Sequence, residues 1–247
     1  MPKTSSSANG SDNKKKSPRL QRLTQDLVSM AELVERNVNT AVMALVDSNS
    51  RFAYEVISLD ADIDEMEVVI DRECLDFLAE APPSTSDFRF VAATMKINND
   101  LERISNQAVQ IAGHVLALIR LPGGAAPVAE LGDLLERIED MVRESVEALI
   151  TRNGELAWEI WEQHIAAGED IRRITDGLTE MAQKSPRQTP AAVRLIRAVT
   201  AIGQAIEYAK DIAEEVIYMR EGIIVKHHER EFLSRKKAGA GLPAQAN

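Results

Sequence analysis

Four carboxylates recur along one stretch of the sequence at the spacing of a helix face. Asp60, Asp64, Glu67 and Asp71 follow one another at steps of four, three and four residues, so they stack along one face of any helix that contains them. Like charges at this spacing destabilise a helix, and a cation would relieve the repulsion. The column indicates either a solvated acidic surface or a site for a hard cation, and both interpretations stay open at this point.

A second polar group lies in residues 98–115, which read NNDLERISNQAVQIAGHV. Asn99, Glu102 and Asn106 share one helix face there, at steps of three and four residues. Carboxylate and amide oxygens are ligands that Mg, Ca, Mn and Fe accept. If this helix lies beside the one that carries the four carboxylates, the combined oxygen atoms predict a cation site between the two helices.

The second half of the sequence carries fewer acids in a related arrangement. Glu207 and Asp211 are four residues apart, and Glu214 follows one turn later. The positions that correspond to the four-carboxylate column hold mostly uncharged residues. Any second cation site would therefore have a smaller set of ligands.

Catalytic patterns are missing from the sequence. A di-metal carboxylate oxidase would need Glu-x-x-His pairs, and no acidic residue stands three positions before any of the four histidines. There is also no glycine-rich phosphate loop, no nucleophile elbow and no Cys or His spacing suited to zinc. We therefore expect a protein that is not an enzyme.

The elements that position these groups are predicted to be helices. Apolar residues recur every three or four positions, aromatic residues make up only 4% of the chain, and Pro and Gly concentrate at a few breaks. The breaks delimit six helices, at about 20–47, 50–80, 86–120, 128–152, 154–183 and 190–233. Residues 1–18 and 234–247 carry little to bury and are predicted to be disordered tails. The fold class is all-α.

The two halves of the chain are internally similar. An offset of 104 residues aligns Glu35 with Glu139 and Val42 with Val146, and an offset of 101 aligns Ala108 with Ala209. A repeat of this length indicates duplication of a supersecondary unit. Long helices joined by short turns pack as antiparallel bundles, so the sequence predicts two tandem three-helix bundles, at 19–121 and 128–233.

Charge and hydropathy restrict the partners. The net charge of −10 disfavours nucleic acid, and no stretch reaches the roughly 18 uninterrupted apolar residues of a membrane span. The N-terminus lacks the apolar middle of a secretory signal, and the single cysteine suits a reducing compartment. We expect a cytoplasmic protein that reaches the inner face of a membrane only through partners.

Several segments resemble the PhoU family of phosphate-transport regulators. EVISLDADIDEMEVVI at 55–70 is similar to the family's Val-Ile-x-x-Asp-x-x-Ile-Asp-x-Leu-Glu pattern, and APPSTSDFRF at 81–90 resembles its Pro-x-x-x-Asp-Leu-Arg turn. DLERISNQAVQIA at 100–112 resembles Asp-Leu-Glu-Arg-Ile-Gly-Asp-His-Ala-x-Asn-Ile-Ala, and DIAEEVIYMREGIIVKH at 211–227 resembles the family's closing segment. The resemblance covers roughly residues 20–228.

The resemblance implies a function and partners. It implies a non-enzymatic negative regulator of phosphate uptake and of phosphate-starvation signalling. Such a protein would act as an adaptor between the ATPase subunit of the phosphate ABC transporter and a sensor histidine kinase, most often as a homodimer. The alternative is a helical protein that binds or stores metal through the acidic residues of its bundles.

The resemblance also implies which residues would hold metal, through a Glu/Asp-x-x-x-Asp motif in each bundle. Each motif has lost one carboxylate, because Asn106 follows Glu102 in the first and Gly203 precedes Glu207 in the second. Fewer anionic ligands weaken the binding of hard cations. We therefore predict at most a reduced site for Mg, Mn or Fe, with these ligands: Asp60, Asp64, Glu102, Asn106, Glu207 and Asp211.

Overall fold

The computed structural model describes residues 18–80, 82–121, 131–222 and 224–226. Within these ranges the chain forms six helices and no strands, which confirms the all-α prediction. The helices are α1 (Pro18–Val46), α2 (Ser50–Glu80), α3 (Thr85–Ile119), α4 (Gly132–Thr151), α5 (Gly154–Lys184) and α6 (Thr189–Glu221). The predicted disordered tails lie outside the described residues, except that Pro18 already belongs to α1.

Two helix bounds differ from the sequence prediction. Helix α6 ends at Glu221 rather than at 233, because Gly222 takes the left-handed backbone conformation, with φ of 73°, and caps the helix. Helix α4 begins at Gly132 rather than at 128, and residues 128–130 lie outside the described part of the chain. The glycine at 222 is the sequence signal for the first of these ends, and the continuing apolar pattern obscured it.

Side-chain caps explain where two of the helices begin. The Ser84 hydroxyl accepts a hydrogen bond from the backbone N–H of Asp87 at the start of α3. At the start of α5, the Asn153 side chain accepts from the N–H groups of Glu155 and Leu156. Each cap satisfies N–H groups that have no partner within the helix.

The helices pack as two three-helix bundles joined along α3 and α6. Helices α1, α2 and α3 contact one another, α4, α5 and α6 do the same, and α3 packs along α6. The apolar residues that recur every three or four positions are buried along most of α3 and α6, including Leu101 and Ile104 in α3 and Val199 and Ile202 in α6. Phe88 belongs to the same apolar pattern, but it lies in the first turn of α3 and is 52% exposed.

Helices α3 and α6 run antiparallel. Lys96 near the start of α3 pairs with Glu215 near the end of α6, and His114 near the end of α3 lies by Arg197 near the start of α6. This register brings polar side chains of both bundles to the joint between them. None of the helices described here is long and apolar enough to cross a membrane.

Candidate functional site

The structure brings the carboxylate column of α2 beside the polar face of α3. We call Asp60, Asp64, Glu67 and Asp71 of α2, together with Glu102 of α3, the acidic face. Burial raises the pKa of both Glu102 and Glu67. The charges of Asp64 and Asp60 add to the rise at Glu102, and the charges of Asp71, Glu102 and Asp64 add to the rise at Glu67. These mutual effects confirm the predicted neighbourhood of the two helices.

A chain of hydrogen bonds fixes Asp60 at the centre of the first bundle. The Asn37 side chain of α1 donates from Nδ2 to Ser105 Oγ at 3.0 Å, and Ser105 Oγ donates to Asp60 Oδ1 at 2.8 Å. Asn37 and Ser105 are fully buried. The two hydrogen bonds connect α1, α3 and α2 and orient the Asp60 carboxylate.

Amide side chains hold α3 in place along the acidic face. Asn106 Nδ2 donates to Glu102 Oε1 within α3, and Asn98 Nδ2 donates to the backbone carbonyl of Glu67 in α2 at 3.0 Å. Asn98 is fully buried, whereas Asn99 is exposed. The amide that reaches α2 is therefore Asn98 and not the Asn99 that the sequence analysis singled out.

Three carboxyls of the acidic face, Asp60, Glu67 and Glu102, have a raised pKa. Burial raises the pKa of Asp60, with a further contribution from the charge of Asp64, and the Ser105 hydrogen bond opposes this rise. Burial is also the largest cause of the raised pKa of Glu102, against which the Asn106 hydrogen bond acts. Both shifts have the sign that incomplete solvation and like-charge crowding produce.

No cation compensates the acidic face from within the described chain. None of its five carboxylates forms an ion pair with a described Lys, Arg or His, although Arg103 lowers the pKa of Glu102 from a distance. Across residues 18–80, 82–121, 131–222 and 224–226, no group of three or more His, Cys, Asp or Glu side chains converges on one point as a metal site would require. The face has the electrostatics of a cation site without the converged ligands.

The second bundle has a cation of its own. Lys210 of α6 is only 8% exposed, and its Nζ lies 2.8 Å from Asp211 Oδ1, 3.5 Å from Glu207 Oε2 and 3.6 Å from Glu214 Oε1. Trp161 of α5 donates from Nε1 to Glu214 Oε1 at 3.1 Å. We call Glu207, Asp211 and Glu214 with Lys210 the lysine cluster. The two predicted ligands in this bundle, Glu207 and Asp211, both lie around an ammonium group.

The acids of the lysine cluster stabilise the charged form of Lys210. Burial by itself lowers the pKa of Lys210, but the hydrogen bond to Asp211 and the charges of Glu214, Asp211 and Glu207 outweigh it, so the net shift is upward. The ammonium therefore stays charged at neutral pH. Lys210 was not among the predicted site residues, although a lysine with acids at positions −3, +1 and +4 on one helix is a readable signal.

A buried carboxyl lies across the joint from the lysine cluster. Asp100 of α3 is 9% exposed, and burial together with the charges of Asp211 and Glu215 raises its pKa to about 7, against the opposing charges of Arg103 and Lys226. Sequence analysis did not select Asp100. Its burial depends on the packing of α6 against α3, which periodicity alone does not show.

A family profile described as "PhoU domain" matches the chain twice, at residues 27–115 and 131–216, one match in each bundle. The chain is 30% identical over 211 residues to the "Phosphate-specific transport system accessory protein PhoU homolog" of Pseudomonas putida, which covers 84% of this chain and 81% of that protein. The homolog from Aquifex aeolicus is also 30% identical, over 208 residues, and covers 84% of this chain and 94% of its own length.

Solved structures agree with these sequence matches. PhoU from Pseudomonas aeruginosa superposes with a TM-score of 0.81 and 29% identity, covering 83% of this chain and 98% of that one. The phosphate transport system regulatory protein PhoU from Streptococcus pneumoniae, at 21% identity and a TM-score of 0.77, shares the fold. With both bundles matched by the profile and by relatives over most of their length, this chain belongs to the PhoU family.

Proposed function

We propose that this chain is a non-enzymatic negative regulator of phosphate uptake and of phosphate-starvation signalling. It acts as an adaptor that connects the ATPase subunit of a phosphate ABC transporter with a sensor histidine kinase. The observation that carries the proposal is the match of both bundles to proteins named as accessory to the phosphate-specific transport system. The proposal also includes a homodimer in the cytoplasm, recruited to the membrane by its partners.

The physical character of the described chain supports an adaptor. Its two bundles form one continuous core through α3 and α6, which gives a rigid body that presents helix surfaces on many sides. The carboxylates identified above are engaged in hydrogen bonds or ion pairs, or repel one another. The one hydroxyl described beside them, that of Ser105 against Asp60, is fully buried and out of reach of a substrate. These contacts suit a protein that works by binding.

Gene deletion tests the regulatory role directly. We expect the deletion strain to take up phosphate and to transcribe phosphate-responsive genes when phosphate is plentiful, because the negative regulator is gone. Uptake of labelled phosphate and a transcriptional reporter measure the two effects. Unchanged uptake and unchanged transcription would disprove the proposal, and restoration by a plasmid copy of the gene is the control.

Co-purification tests the adaptor step separately. An affinity-tagged chain is recovered from cells grown at high and at low phosphate, and the bound proteins are identified by mass spectrometry. We expect the transporter ATPase and the histidine kinase to be recovered, in amounts that change with phosphate. Sedimentation of the pure protein measures the homodimer independently of both partners.

A second candidate function is the binding of a divalent cation at the acidic face. It is favoured by one observation, the crowding of Asp60, Asp64 and Glu102 without a described internal cation. The ligands would have to converge further than they do in this structure, so the metal stays a prediction. Elemental analysis of protein purified without chelators, compared with Asp64→Ala and Glu102→Ala, measures it. Absence of Mg, Mn, Fe and Ca in the wild type would reject it.

A further inference from the structure

A polar groove lies between α3 and α6, with a volume of about 470 Å³. Helix α3 contributes Gln107, Gln110 and His114 to its walls, and helix α6 contributes the remainder, which are Arg197, Thr200, Ala201 and Gln204. No lining residue is acidic, although the chain as a whole carries a net charge of −10. The groove is therefore a locally basic, donor-rich region on an acidic protein.

Several donors in the groove have no partner within the described chain. His114 Nδ1 is buried and forms no hydrogen bond. Arg197 and the neighbouring Arg194 form no ion pair with any described carboxylate. Burial and the charges of Arg194 and Arg197 lower the pKa of His114, and no carboxylate contributes to that shift. Arg197 is exposed and Arg194 is half-buried, so water hydrates both guanidinium groups in the free protein and an anion in the groove can replace that water.

The internal duplication supplies an equivalent region for comparison. Because α3 and α6 are equivalent helices at an offset of 101 and pack antiparallel, each groove position has a counterpart at the other end of the joint. The counterparts of the seven lining residues are Tyr208, Asp211, Glu215, Lys96, Asn99, Asp100 and Arg103. This second region contains three carboxylates, whereas the groove contains none.

In the counterpart region the cations have partners. Lys96 Nζ lies 2.8 Å from Glu215 Oε1, and the Arg103 guanidinium lies 5.5 Å from the centre of the Tyr208 ring. At the groove end, Arg197 stands in the place of Lys96, and His114 stands in the place of Glu215. The groove therefore has a cation at the same position as the counterpart region, but an imidazole where the counterpart region has the carboxylate that pairs with it.

We propose that the groove around His114 and Arg197 binds a phosphoryl oxyanion, as inorganic phosphate or as a small phosphate ester. The guanidinium fork of arginine matches the oxygen geometry of phosphate, and the glutamine amides and the imidazole supply further donors. The Thr200 hydroxyl donates to the Ile196 carbonyl at 2.9 Å and is not counted among them. The volume exceeds that of one phosphate ion, so the groove also has room for the organic part of an ester. This inference does not rest on the proposed regulatory role.

Titration of the full chain tests the site. Inorganic phosphate and glycerol phosphate are each titrated by calorimetry in chloride buffer at fixed ionic strength, since salt screens such contacts. We expect saturable binding of one or both, with a Kd of about 1 mM or lower. The tighter of the two ligands identifies whether the free ion or an ester is preferred. Binding of a phosphopeptide alone, or no saturation by about 10 mM, would overturn the proposal.

Two variants and a matched control locate the binding. Arg197→Gln removes the unpaired cation, and His114→Glu restores the carboxylate that the counterpart region has in Glu215. We expect each to weaken binding about tenfold or more, and we expect the control Lys96→Gln to bind as the wild type does. Circular dichroism verifies that all three variants fold. If Arg197→Gln binds like the wild type, or if Lys96→Gln weakens binding equally, the groove is not the site.

Discussion

In the second bundle Lys210 lies among three carboxylates, whereas in the first bundle none of the described cations pairs with the five carboxylates of the acidic face. The two bundles share one fold, and the acids lie on equivalent helices and their neighbours. In the second bundle the Lys210 ammonium offsets part of the negative charge of its three neighbouring acids. The acidic face has no such ammonium, and burial raises the pKa of three of its carboxyls, Asp60, Glu67 and Glu102.

The largest expected effect comes from removing the cation of the lysine cluster. Lys210→Met keeps the length of the side chain but removes the ammonium from the buried Glu214, which keeps only its hydrogen bond from Trp161, and from the half-buried Asp211. Loss of one partner from a buried charge group destabilises a protein by about 3–5 kcal/mol. Urea unfolding at pH 7, followed by circular dichroism, measures the change in the free energy of unfolding.

A surface lysine provides the matched control for that substitution. Lys184 pairs with Glu180 at 2.9 Å on the exposed end of α5, so Lys184→Met should leave the urea midpoint unchanged. If both lysine variants unfold at the wild-type midpoint, then the lysine cluster does not stabilise the second bundle, and the contrast between the bundles loses its physical basis.

Substitution of Asp100 should give the next largest change in the free energy of unfolding, and the size of that change depends on pH. Its pKa of about 7 means that the folded state retains a proton that the unfolded state loses near pH 4. The contribution of the neutral Asp100 side chain to the free energy of unfolding is therefore fully present below about pH 4. It is lost as the pH rises to about 7. Asp100→Asn stays neutral throughout, so we expect it to be more stable than the wild type by roughly 2–4 kcal/mol at pH 8.

The pH profile itself is the control for Asp100→Asn. Thermal unfolding of both proteins from pH 4 to pH 8 should give curves that converge at the acid end and separate toward pH 8. A constant difference across this range would mean that the substitution acts through packing and not through the buried charge.

Sequence periodicity predicted most of the fold, because the apolar residues that pack the helices together are the same residues whose spacing indicates a helix. Leu101 and Ile202 recur with their neighbours at helical spacing and are buried where the pattern places them. The predicted end of α6, at residue 233, was wrong because the apolar pattern continues past Gly222, whereas the helix ends there. The spacing of apolar residues indicates which face of a helix is buried, but it does not indicate where the helix ends.

The candidate site was less predictable, since it depends on which neighbour covers each polar side chain. Spacing placed Asp60, Asp64 and Glu102 together, and the structure confirms that neighbourhood. Lys210 has the same local spacing as an exposed ion-pair residue, and only the packing around α6, including Trp161 of α5, buries Lys210 and Glu214. Ser105 gave no signal in the sequence, because a lone serine in a seam is consistent with many roles.

A smaller effect, of opposite sign to that of Lys210→Met, is expected in the acidic face. Glu102→Gln removes one repelling charge and keeps an oxygen that can accept the Asn106 hydrogen bond. Because the pKa of Glu102 is raised, the native carboxylate lowers stability increasingly as the pH rises above its unfolded value. We expect the variant to gain roughly 0.5 kcal/mol at pH 8 and nothing near pH 4.

Chemical denaturation in the presence of a chelator measures this gain without interference from bound cations. Glu65→Gln, on the exposed side of α2, changes the net charge equally and serves as the control. A gain at Glu65 as large as that at Glu102 would attribute the effect to the overall charge of −10 and not to the acidic face.

The smallest expected effect on stability comes from adding a cation to the acidic face. Asn106→Lys places an ammonium four residues after Glu102, which is the favourable order for a helical ion pair. We expect a gain of about 0.3 kcal/mol in the free energy of unfolding at low salt, and the same variant should abolish any stabilisation by added Mn²⁺. A double-mutant cycle with Glu102→Gln isolates the pair. If the gain is the same in both backgrounds, the new ammonium does not pair with Glu102. A Mn²⁺ response that survives in Asn106→Lys would place the responding cation somewhere other than the acidic face.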